Sequence, residues 1–207
     1  MEKIEYHLLP PVKRGVARLA ALTRYSLVAC AVFTLGELVL LPLRFPLAGI
    51  VSGMISSTLL AWCIALLTVL AAWCQPVLLA NQGIWLSRWL LRIGALFAPL
   101  IPICWGYSLV CGQNLLYRQG ELPLILAACM LCAAVFNIFH MAAAPAGLKV
   151  RLILLPILLL LTCCCDMPGL LIYSCVFKLL ATWAAGTPLR QLASIAPRII
   201  SMPDIKG

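Results

Sequence analysis

The sequence predicts an all-α membrane protein, a polytopic bundle of about six transmembrane helices with both termini cytoplasmic. Three observations carry that expectation. Hydrophobic residues make up 64% of the chain and charged residues 10%, against about 45–50% and about 25% in a soluble domain, so polar groups could not cover this chain in water. The apolar residues fall into successive runs of roughly the length that crosses a bilayer. The Lys and Arg residues gather at one side of those runs, as the positive-inside rule requires.

The first 24 residues form a basic cytoplasmic segment with Lys3, Lys13, Arg14, Arg18 and Arg24. Val12, Val16 and Leu19 recur there at helical spacing, which suits a short amphipathic helix lying on the bilayer or a disordered basic lead-in. Residues 25–186 form the six-helix transmembrane domain. The first span is expected from about Tyr25 to Leu43, too long for the apolar core of a cleavable signal and without a small-x-small cleavage site, so it reads as a retained helix. Pro42 and Pro46 bracket a tight turn, because each lacks an amide donor. The second span follows over about 47–74.

Residues 75–92 interrupt the apolar pattern with Gln75-Pro76 and Asn81-Gln82-Gly83. Trp85, Arg88, Trp89 and Arg92 then place indoles beside cations, which suits the headgroup layer, and an interfacial helix is expected near 76–92. The third span is expected over 93–111 and the fourth over 122–144. A short fifth covers 152–165, broken at Asp166-Met167-Pro168, and a sixth covers 169–185. The segment 152–185 also admits one span plus a re-entrant piece. Thr187-Pro188 has the form of an N-cap and first helical residue, so a short cytoplasmic tail, 187–207, is expected to open a new helix there.

With six spans and the N-terminus inside, twelve of the fifteen Lys and Arg residues fall on the inner side, Arg44 and Arg118 on the outer side, and Lys178 within a span. Inserting or deleting one middle span would scramble that bias. The net charge of +9 thus sits at helix ends facing an acidic leaflet. It forms no basic stripe with stacking aromatics, and nucleic acid is not an expected partner.

Several constellations bear on function. Glu37 and Lys178 are the acid and the base expected well inside spans, where an ionised group needs a partner or water. Glu37 lies about 18 Å and Lys178 about 12 Å from the inner boundary, at about 1.5 Å per residue. A helix-locking ion pair, an ion or proton site, or a snorkelling Lys178 beside a protonated Glu37 all fit that spacing. Asn137 and His140 share a face near the inner end of the fourth span and read as a polar packing site. A lone histidine lacks the further ligands that a metal needs.

Eleven cysteines lie mostly in apolar runs, where thiols pack as small hydrophobes. Cys129 and Cys132 have CxxC spacing but sit inside a helix rather than at its N-terminus, where a thiolate would be favoured. The run Cys163, Cys164, Cys165 is a candidate thiol cluster for a soft metal or disulfide exchange. A Ser108 nucleophile with a His140 base is excluded by depth, since the two belong at opposite ends of neighbouring spans. Gly49, Gly53 and Ser57, four residues apart, form a helix-packing groove for a neighbour in the same chain or in another subunit.

No cofactor is implied, and an enzyme is the less expected class. Short outer turns and sparse polar groups suggest a non-catalytic subunit, scaffold or accessory component of a larger membrane assembly, such as a secretion or transport complex. Its expected partners are the lipid bilayer and other membrane subunits or copies of itself. A small ion or solute transporter using Glu37 and Lys178, and a thiol or metal redox protein using the outer cysteines, are the rival readings. The compact, loop-poor build suits a bacterial inner membrane.

Overall fold

A computed structural model describes residues 10–43, 45–78, 85–111, 121–137, 146–166 and 168–198. The described residues are helical throughout apart from short turns, and no strand occurs among them. Three stretches, Gly15–Leu40, Pro46–Ala72 and Trp85–Cys104, are long and apolar enough to cross a membrane, and Leu122–Phe136 and Val150–Cys165 are shorter apolar helices. With these helices the chain is an integral membrane protein.

Helix α1 runs from Pro10 to Leu40 without interruption. The expected surface helix and first span are therefore one element. The reason is phase: Val16, Ala20, Thr23, Leu27, Cys30 and Thr34 are all buried, at steps of three or four residues, so a single stripe continues from the basic end into the apolar one. Thr23 and Thr34 spend their hydroxyls on the carbonyls of Leu19 (2.7 Å) and Cys30 (3.0 Å), which allows them inside an apolar helix. Past Leu40 the chain turns through Pro42, and the Phe45 amide still reaches the Leu40 carbonyl at 3.2 Å. Helix α2, Pro46–Leu78, begins on the second proline, where a missing amide costs nothing.

Helix α3 spans Trp85–Phe97 and α4 spans Leu100–Cys111. The Trp/Arg segment is thus the opening of the third apolar helix rather than a separate interfacial element, and α2 carries through Gln75-Pro76 to Leu78. The break between α3 and α4 falls at Ala98 and Pro99. Pro99 has no N–H for the Ala95 carbonyl, and the ladder resumes with short bonds such as Ile101 N–H to Ala98 (3.2 Å). Helix α5 covers Glu121–Phe136 and α6 covers Ala146–Cys165, with Pro156 inside it. A single 3₁₀ turn, Pro168–Leu170, leads into α7, Leu171–Arg198. Helix α7 continues through Thr187-Pro188, where a new helix was expected.

Helix α1 packs against α2 and α7, α7 against α6, and α5 against α3 and α6, while α2 also touches α3 and α5. Leu60, Cys63 and Ile64 of α2 form the middle of the core with Leu126 of α5, Leu159 of α6 and Ala184 of α7. Side-chain contacts fix the directions. Gly53 of α2 meets Glu37 of α1, and Gly49, nearer the turn, meets Leu41 just past the end of α1, so these two helices are antiparallel. Lys178 of α7 bonds Thr34 while Thr182 reaches the Leu27 carbonyl, so α7 is antiparallel to α1 as well. The turn between α1 and α2 and the turn between α6 and α7 therefore lie at the same end of the bundle. At the opposite end, the Ser87 hydroxyl of α3 bonds the Ala133 carbonyl of α5 at 3.3 Å.

Candidate functional site: a buried lysine between four helices

A polar cluster lies one to three turns below those two hairpin turns, and its elements follow from the sequence. On α7, Ser174, Lys178 and Thr182 stand four residues apart and so share one face. On α2, Ser52 and Ser56 repeat that spacing, and on α1 Cys30 and Thr34 do the same. The three faces converge. Lys178 is 2% exposed, and its ammonium donates to Thr34 Oγ1 (2.9 Å), Ser56 Oγ (3.1 Å) and Asp166 Oδ1 (2.9 Å). An ammonium carries three donors. All three are used.

The acceptors are held in turn. Ser56 and Thr34 lie 2.5 Å apart, and each can donate to the Cys30 carbonyl at 3.0 Å. Two hydroxyl hydrogens are thus shared between that carbonyl and each other, which leaves both oxygens able to accept from the lysine. Asp166 sits just beyond the C-terminus of α6. Its carboxylate accepts from Ser57 at 2.6 Å, Ser174 at 3.1 Å and Lys178. The cluster ties together α1, α2, the end of α6 and α7.

The carboxylate bonded to Lys178 is therefore Asp166, where the spacing along the helices suggested Glu37. Depth counted along single helices overlooks the hairpin: the chain folds Asp166 back over the first two turns of α7, and the lysine stem rises toward it. Glu37 stays near. Its carboxyl group lies flat on Gly53, where an added Cβ would stand 2.5 Å from it. The charges of both Asp166 and Lys178 reach it.

The other candidate residues are placed as follows. The Gly49, Gly53, Ser57 groove is filled from within the chain, by Leu41, by Glu37 and by the Ser57–Asp166 bond. Asn137 is buried and donates to Ser87 Oγ (2.5 Å) and to the Ala133 carbonyl (2.9 Å), joining α5 to α3. His140 lies outside the described residues. Cys129, Cys163 and Cys165 are half-buried, Cys132 and Cys164 are exposed, and none of the five is in a disulfide. Cys163, Cys164 and Cys165 follow one another on a helix, so their side chains fan out about 100° apart rather than converging. Among the described residues no three His, Cys, Asp or Glu side chains come together as a metal ion would need.

Thr34, Ser56 and Ser174 were not among the residues that sequence reasoning singled out, and Asp166 entered there only as the break after the fifth span. For the three hydroxyls the signal was present, as small polar residues four apart, or four from Lys178, in otherwise apolar runs. Fold and cluster together define an integral membrane protein in which the buried Lys178 and Asp166 are matched inside the helix packing. Comparison with known protein families, with curated proteins and with solved structures finds no match to this chain.

Proposed function

We propose that this protein is a non-catalytic subunit or accessory component of a larger membrane assembly, and that its buried charges join helices rather than turn over a substrate. The observation that carries the reading is the saturation of Lys178, whose donors all end on the chain's own hydroxyls and on Asp166. A lysine used so completely has no free donor to offer a reactant, and breaking such a pair inside a bilayer is costly. The reading includes six crossings with both termini cytoplasmic, on the strength of the Lys and Arg bias. It places the protein in a bacterial inner membrane as part of a secretion or transport complex. Mild solubilisation from the native host, followed by identification of co-purifying proteins, tests it. Stoichiometric partners are expected, and a lone monodisperse monomer would overturn it.

Glu37 favours a second reading, a small ion or solute transporter. Its carboxylate is seated on Gly53 beside the ion pair, and no hydrogen-bond donor meets it among the described residues. Ion and solute fluxes unchanged by Glu37→Gln would remove this reading.

A further inference from the structure

Helix α3 differs from the other helices in having two sharply unlike faces. Ser87, Leu91 and Gly94 are buried. A Cβ added at Gly94 would stand 3.0 Å from Thr68 of α2 and 3.8 Å from the Cβ of Cys129 on α5. This face is pressed against two neighbours, so the rotation of α3 about its axis is fixed. The opposite face carries Trp85, Arg88, Trp89 and Arg92, the i, i+3, i+4, i+7 pattern of one helical stripe.

Trp85 is 69% and Trp89 45% exposed, and their rings meet edge to face with centroids 5.9 Å apart. Arg92 is exposed and Arg88 half-buried. One turn further the same stripe becomes wholly apolar. Leu96 is 77% exposed and Ile103, across the Pro99 bend, 61%. Within about 10 Å along the axis, at about 1.5 Å per residue, the outward surface therefore passes from cations and indoles to hydrocarbon. An upright phospholipid has that profile, with its phosphate above its glycerol esters and its acyl chains below. Guanidinium groups pair with phosphate oxygens through parallel N–H donors, and indoles rest at the headgroup level.

We propose that the Trp85–Arg92 face of α3 is a binding site for an anionic phospholipid, with Arg92 on the phosphate, Trp89 and Trp85 flanking the headgroup on its outer side and Leu96 along an acyl chain. Charge complementarity selects this occupant. The helix carries two cations and no carboxylate, and no Asp or Glu occurs anywhere between Glu37 and Glu121 in the sequence. A zwitterionic lipid matches the shape of the face but brings its own cation to the arginines.

The full chain reconstituted in phosphatidylcholine vesicles, with spin-labelled phosphatidylglycerol or spin-labelled phosphatidylcholine as probe, tests the proposal. Relative association constants follow from the motionally restricted fraction of each probe. A preference for phosphatidylglycerol is expected that drops about fivefold in Arg92→Gln, survives in Arg92→Lys, and is unchanged in Arg18→Gln on α1. Arg92 is exposed, so its replacement leaves the packed face of α3 intact. No preference in the unmodified protein would overturn the site, and so would a preference that Arg92→Gln leaves untouched. A protein that co-purifies and crosslinks from position 92, with no lipid preference, would overturn it in favour of a protein partner.

Discussion

Lys178 shows how one residue can set the arrangement of several helices. Its ammonium is neutralised by Asp166 and solvated by two hydroxyls, so each partner removed leaves the others unsatisfied in a medium that cannot hydrate them. Lys178→Met strands the Asp166 carboxylate and is expected to cost about 3 kcal/mol. Adding Asp166→Asn removes the stranded charge while one of Ser57 and Ser174 can still donate to the amide oxygen and the other can accept from the amide N–H, and the double variant is expected to regain more than half of that loss. Reversible unfolding in detergent or bicelles, run as a double-mutant cycle, measures it; additive losses would show that the pair is not coupled. Two glycines make a finer contrast. At Gly53 an added methyl meets only the mobile end of Glu37, and Ala is the better helix former by about 1 kcal/mol, so Gly53→Ala is expected to be neutral or mildly stabilising while displacing the Glu37 carboxyl group. At Gly49 the methyl meets Leu41 Cδ2 and Cγ at 2.8 and 2.9 Å, with the Leu41 backbone nitrogen behind them at 3.4 Å. Gly49→Ala is expected to lose about 1–2 kcal/mol in the same unfolding measurement, as overpacking does.

At the scale of the helix, existence was legible and boundaries were not. Long apolar runs mark helices because lipid demands internal satisfaction of every backbone group, and each expected span has a helix in the described residues. The ends miscarry where a local signal competes with a longer one. Thr187-Pro188 has the composition of a helix start, yet α7 runs through it, and a tertiary contact accounts for the difference. The Arg151 guanidinium of α6 lies 4.2 Å over the Trp183 ring, donates to the Trp183 carbonyl at 3.3 Å and also bonds Thr187 Oγ1. Pro188 deprives the Ala184 carbonyl of its helical partner, and Arg151 grips the turn on either side of that gap. The grip is invisible in a string of residues because its two halves are more than thirty positions apart. The site was half legible for the same reason: Lys178 stands out as a lone base in an apolar run, whereas its partnership with Asp166 depends on how tightly the chain turns between them. Arg151→Ala is expected to raise amide hydrogen exchange in residues 184–192 several-fold and to leave the Thr34–Ser56–Lys178 end of the bundle protected. Equal exchange in both proteins would mean that α7 needs no clamp.

For the whole molecule, the two hairpin turns constrain the path of everything between them. The α1–α2 turn and the α6–α7 turn share one end of the bundle, since Lys178 and Asp166 bond Thr34, Ser56 and Ser57 there. Helix α2 leaves that end and α6 returns to it, so the segment from α3 to α5 must make an even number of crossings, none or two. Trp85–Cys104 is long and apolar enough to make one. If it crosses, α5 must cross back even though its apolar part, Leu122–Phe136, has only 15 residues. At about 1.5 Å per residue that part covers about 22 Å of a hydrocarbon layer near 30 Å. On the proposed six-crossing reading, parity thus requires a span that length alone would leave open, and Arg118 then lies on the same side as Asp166. Reporter fusions after Leu78, Arg118 and Asp166 separate the cases. Six crossings give cytoplasmic activity at Leu78 and external activity at the other two positions. Four crossings move Arg118 to the cytoplasmic side and leave Asp166 external. A cytoplasmic signal at Asp166 would break the parity itself, and with it the contact between Lys178 and the α1–α2 hairpin on which the argument stands.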